Sequence, residues 1–98
     1  MKTAAERDHA RLTALYTQSG LRQAELAILW GVSRLMVNRY LQGKAHPSVA
    51  TQYTMERTNA VLNRMLAQER LPLSADYDKE RRANAIKKIK EFVAALPD

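Results

Sequence analysis

Between Glu25 and Glu56 the chain has no acidic residue, while Arg34, Arg39 and Lys44 all fall inside that window. Guanidinium and ammonium groups with no carboxylate among them suit a polyanionic partner, because nothing there repels phosphate. The whole chain leans the same way: its 98 residues include 16 Lys and Arg against 10 Asp and Glu, a formal net charge of +6. Other chemistries lack their residues. There is no cysteine, which removes disulfides, thiolate metal sites and thiol nucleophiles. His9 and His46 are the only histidines, and nothing beside either one suggests a nucleophile or a metal cage. His46, just before Pro47, reads either as a solvated loop residue or as a phosphate contact. A glycine-rich ATP-binding loop is absent. The expectation is a protein that is not an enzyme, with no catalytic residues, no cofactor and no metal.

Cations meet a polyanion usefully only if a scaffold holds them on one face. Residues 21–48, LRQAELAILWGVSRLMVNRYLQGKAHPS, read as two short helices joined at a glycine, with a basic loop after the second. Ala27 stands four residues before Gly31 and Val37 six after it, the spacing of a helix-turn-helix. A small residue at 27 lets the second helix cross the first closely. Gly31 supplies the positive φ of a sharp turn at little steric cost. Val37 and Tyr40 then face inward, while Arg34, Leu35, Asn38 and Arg39 face out.

In these residues the segment resembles the helix-turn-helix of the lambda repressor/Cro (XRE-type) family. The shared pattern is Leu21, Gln23, Leu26, Ala27, Gly31, Val32, Ser33, an aliphatic residue at Val37, then Gly43, Pro47 and Ser48. The resemblance is close over about 30 residues and extends in outline over the first 70 or so. It implies that the second helix enters the major groove of double-stranded DNA, with Arg34, Leu35 and Arg39 as base-reading residues. An arginine can donate two parallel hydrogen bonds to guanine O6 and N7, and Leu35 can pack on a thymine methyl. A half-site containing guanine and thymine follows. Phosphate contacts fall to Gln23, Gln42 and Lys44, with Asn38 and Arg22 as further candidates. Taken without the motif, Arg34 and Arg39 are solvated surface charges, and Leu35 and Met36 are helix-packing residues. Three positions depart from the pattern: Arg22 replaces a threonine or serine cap, Trp30 a smaller aliphatic residue, and Leu41 a glutamate that in some relatives pairs with an arginine of helix one. Apolar packing is expected at Leu41 in place of that ion pair.

The rest of the chain reads as helix with short connections and no alternating strand pattern, so the fold class is all-α. Five helices are expected over 4–18, 22–30, 34–41, 49–68 and 76–96, giving a five-helix, lambda-repressor-like DNA-binding domain with a C-terminal amphipathic helix. Thr3 and Glu6 have capping-box spacing, and Ser33 and Ser48 are N-cap residues. Ala5, Leu12, Leu15 and Tyr16 form the inner face of helix one, and Val49, Tyr53, Val61, Leu62, Met65 and Leu66 that of helix four. Residues 1–70 form the DNA-binding domain, with the motif at 22–41, and residues 71–98 the C-terminal helix. Its stripe of Ile86, Ile89, Val93 and Leu96, with Phe92 beside it, either supplies a dimer contact or covers the chain's own domain. Lys79, Arg81, Arg82, Lys87, Lys88 and Lys90 form its polar face, solvated or a second DNA contact.

The reading is a dimeric transcriptional repressor. Two copies of helix three on a palindromic operator, with the protein's own promoter among the candidates, would block polymerase. Size and resemblance suit a phage or mobile-element regulator. The alternative is a DNA-binding antitoxin or an interaction adaptor that holds a partner protein through helices four and five. No apolar run can span a membrane. The charged segment MKTAAERDHARL is no secretory signal, so a cytoplasmic location is expected.

Overall fold

Apolar residues at three- and four-residue steps, separated by glycine, proline and serine, specify helices. The structure, a computed structural model, describes residues 4–97 and holds five of them: α1 (Ala4–Ser19), α2 (Gln23–Trp30), α3 (Arg34–Leu41), α4 (Val49–Ala67) and α5 (Lys79–Ala94). Among the described residues there is no strand, and the chain is all-α. No described helix is long and apolar enough to cross a membrane.

Local capping chemistry sets several of the boundaries. Ser33 Oγ accepts the Met36 N–H at 3.1 Å and starts α3, and Ser48 Oγ accepts the Thr51 N–H at 3.2 Å and starts α4. Helix α5 begins later than its acidic lead-in suggests. Asp78 is its cap, with Oδ1 accepting the Arg81 N–H at 2.8 Å, while the Asp76 N–H is tied to Ser74 Oγ in the preceding turn. The expected Thr3–Glu6 capping box depends on Thr3, which lies outside the described residues.

Helix α2 is the centre of the packing. It has eight residues, too few to be stable alone. Contacts with α3, α4 and α5 hold it, and Leu26, Ala27, Leu29 and Trp30 are buried between those helices. The indole of Trp30 is 2% exposed, and its N–H donates to Asn59 Oδ1 of α4 at 3.1 Å. Around α2 the core is completed by Leu15 of α1, Val37 and Tyr40 of α3, Met55, Val61 and Leu62 of α4, and Ile86 and Ile89 of α5.

Two expectations are corrected, and one open alternative is narrowed. Val49 and Tyr53 of α4 do not face inward; they are 83% and 52% exposed. At 3.6 residues per turn, Tyr53 lies about 180° around the helix from the fully buried Leu62, so the inner stripe runs through Met55, Thr58, Val61 and Leu62 instead. Ile86 and Ile89 are not available as dimer contacts, because α5 lies on α2 and α4 and buries both in the chain's own core. Val93 and Leu96 pack half-buried against that core, which leaves Phe92 as the exposed apolar residue of the stripe. Arg82 does not belong to a solvated face; it is 4% exposed. Helix α5 is also held at its far end, where the Arg57 guanidinium donates to the carbonyls of Val93 at 3.1 Å, Leu96 at 2.9 Å and Pro97 at 3.1 Å. A cation at a helix C-terminus meets the negative end of the backbone dipole.

Candidate nucleic-acid interface

The turn between α2 and α3 decides which side of α3 is free. Gly31 has φ 70° and ψ 33°, the left-handed conformation that glycine adopts without strain, and its N–H closes α2 on the Ala27 carbonyl. The Val32 N–H bonds the same carbonyl at 3.1 Å. Helix α3 then packs on α2 and is anchored by Val37, fully buried, and Tyr40, 6% exposed. At about 100° per residue, Arg34, Leu35, Asn38 and Arg39 share an arc of about 140° on the opposite side. Arg34, Leu35 and Arg39 are exposed, Leu35 by 59%. Met36 is half-buried against the core and so belongs to the packing side.

The phosphate candidates divide into two groups. Gln23 and Asn38 are brought together: Asn38 Nδ2 donates to Gln23 Oε1 at 3.4 Å, tying α3 to the first residue of α2. That bond commits the Gln23 carbonyl to α3, so its NH2 is the end that can donate to a phosphate oxygen. Arg22 is exposed at the N-cap of α2. Its own N–H is taken by Glu25 Oε1 at 2.7 Å. Gln42 and Lys44 are exposed beyond the end of α3, where their N–H groups bond the Asn38 carbonyl at 3.0 Å and the Arg39 carbonyl at 2.9 Å.

A brace for this loop comes from a residue that the sequence leaves without a role. His9 of α1 bonds the Leu41 carbonyl through Nε2, and its ring lies beside Gly43, where a Cβ would stand 3.5 Å from His9 Cδ2. The segment carrying Gln42 and Lys44 is therefore seated on α1. Nothing in the spacing announces this, since 32 residues separate His9 from Leu41.

The second unannounced feature is an ion pair. Arg82 of α5 donates to both carboxylate oxygens of Glu25, from Nε at 2.8 Å and from an Nη at 2.6 Å, in the fork geometry that suits a carboxylate. Its remaining donors reach the Gly20 carbonyl at 2.9 Å and the Ser74 carbonyl at 3.2 Å. Burial pushes the Glu25 carboxyl up, but the Arg82 guanidinium and the Arg22 N–H together outweigh it and hold the group below its ordinary value. Glu25 in turn raises the Arg82 guanidinium further. The motif's glutamate position, Leu41, is half-buried and packs against the core. The chain's buried pair thus lies between α2 and α5, at a site the motif does not specify. Its consequence is electrostatic: the carboxylate nearest the start of α2 is neutralised, so Arg22, Arg34, Arg39 and Lys44 are not opposed by it.

Chemically, the surface offers guanidinium groups for bidentate hydrogen bonding, one exposed leucine for an apolar contact, and amide and ammonium donors on both flanks. Comparison with protein-family models, with curated proteins and with solved structures gives no match to this chain.

Proposed function

We propose that the protein is a sequence-specific DNA-binding transcriptional regulator with a lambda-repressor-like fold, acting as a repressor that blocks a promoter through α3 in the major groove. The observation that carries this is the exposed arc of Arg34, Leu35 and Arg39 on a helix anchored from behind by Val37 and Tyr40. Arg34 and Arg39 supply guanine contacts, and Leu35 a thymine-methyl contact. Gln23, Asn38, Arg22, Gln42 and Lys44 fix the register on the phosphates. One such module covers few base pairs, so a homodimer on a palindromic operator completes the reading. With Ile86 and Ile89 inside the core, a dimer contact on α5 would centre on Phe92, Val93 and Leu96.

The test is binding of the protein to its own upstream DNA across a salt series, beside an Arg34→Ala/Arg39→Ala variant. Each lost bidentate contact is expected to remove about 1–3 kcal/mol of discrimination, so the variant loses about five- to 150-fold per arginine on the specific site. Its thermal stability is expected to stay unchanged, since both side chains are exposed. Binding that is weak, indifferent to sequence and indifferent to the two arginines would overturn the proposal.

A further inference from the structure

One apolar surface lies away from the α3 arc and has an unusual rim. Ile28 points out of α2 and is 54% exposed. It borders a groove of about 380 Å³ between α2 and α5, where the exposed Ala83 and the outer edge of the buried Ile86 complete an apolar floor. On α5, Lys79, Ala83, Lys87 and Lys90 recur at three- and four-residue steps and so form one side of this groove. Arg22 of α2 closes it from the other side. Those four cations are all exposed. Among the described residues Glu25 is the one carboxylate lining the groove, and it is already paired with Arg82, so no described carboxylate in the groove offsets the rim cations.

A lone exposed isoleucine would mean little. An apolar floor inside an unbalanced cationic rim specifies a complement: carboxylates around an apolar tip. Phosphates match the rim but not the floor, because a nucleic-acid backbone presents charged oxygens and flat sugar edges and no protruding apolar side chain to cover Ile28 and Ala83. We propose that the α2–α5 groove is a docking site for an acidic segment of a partner protein, which seats apolar side chains on the exposed Ile28 and Ala83. The rim draws the segment in and makes its association fall with salt; the floor sets its residence. This surface is separate from the base-reading arc and shares only Arg22 with the phosphate candidates, so the proposal does not depend on the DNA reading.

The isoleucines make the test direct, because there are three: Ile28 on the groove, Ile86 in its floor and Ile89 fully buried in the core. A random peptide display library would be selected on the full chain, and the enriched peptides titrated into protein with labelled isoleucine methyl groups. The expected result is enriched peptides rich in Asp and Glu around large apolar residues. They should move the exposed Ile28 methyl signal most while the fully buried Ile89 stays still. Ile28→Glu, or Lys87→Glu with Lys90→Glu, should weaken them about tenfold or more. These positions are exposed, so the variants keep the fold and their DNA binding, whereas Arg34→Ala/Arg39→Ala keeps peptide binding. Failure to enrich acidic peptides, binding that leaves Ile28 unmoved, or equal movement of Ile28 by duplex DNA would overturn the proposal.

Discussion

Arg82→Met is the substitution that most directly tests how α5 is joined to the motif. The Arg82 side chain is 4% exposed, and Glu25 is 13% exposed. Four hydrogen bonds leave with the guanidinium: two donated to Glu25, and one each to the Gly20 and Ser74 carbonyls. Methionine fills most of the space, so the dominant effect is an orphaned carboxylate and two carbonyls without their donor, not a cavity. Breaking a buried pair from one side costs about 3–5 kcal/mol, and the rim of exposure at Glu25 places this one near the lower end. For a domain of this size each kcal/mol lowers the melting temperature by about 4–8 °C, so a drop of roughly 12 °C or more is expected.

The pH dependence carries its own sign. Glu25 is held below its ordinary value of 4.5 in the folded chain, so the folded state binds its proton less tightly than the unfolded state. The pair's contribution is present above that value and lost as pH falls through the lowered folded one. In Arg82→Met burial acts on Glu25 without its main opponent, so its carboxyl moves up. The stability gap between wild type and variant is therefore widest at neutral pH and narrows as pH falls from the variant's raised value towards the wild type's lowered one. Urea unfolding followed by the fluorescence of Trp30, the sole tryptophan and a buried one, measures both quantities. Adding Glu25→Gln to Arg82→Met removes the orphaned charge and is expected to recover part of the loss. A gap under about 1 kcal/mol at neutral pH, or one that does not change on acidification, would refute the reasoning.

Two glycines of nearly equal φ are expected to answer differently to alanine. At Gly31 (φ +70°) a Cβ meets nothing within 4 Å, so Gly31→Ala loses only the left-handed penalty of about 1–2 kcal/mol. At Gly20 (φ +69°) the same Cβ stands 2.8 Å from the Leu73 carbonyl oxygen and 2.9 Å from Pro72 Cβ, so Gly20→Ala unfolds at distinctly lower urea. Ser33→Ala removes the α3 cap and is expected to cost about 1 kcal/mol by the same assay. Because that turn carries Arg34 and Leu35, DNA affinity should weaken alongside. Lys44→Ala leaves stability within about 0.5 kcal/mol but lowers the slope of log affinity against log salt by about 1, equally on specific and random DNA.

What could be read from the sequence was local. Gly31 and Ser33 carry their signals within a few residues, so the ends of α2 and α3 and the outward arc of α3 were legible. The start of α5 was not, because Asp76 and Asp78 are the same residue type two positions apart, and only the turn at Ser74 decides between them. Tyr53 failed through phase: it is apolar and at helical spacing from Val49, yet stands half a turn from Leu62. Arg82 shows a different limit. Beside Arg81, nothing in its neighbourhood marks it as buried, since its burial depends on where α5 meets α2, 57 residues away in sequence. That meeting matters to the site. The acid-free window appears in the sequence to end at Glu25, but in the folded chain the Arg82 guanidinium neutralises that carboxylate. The uninterrupted positive character of the α2–α3 surface is thus a product of tertiary packing, completed by the helix that the motif leaves out.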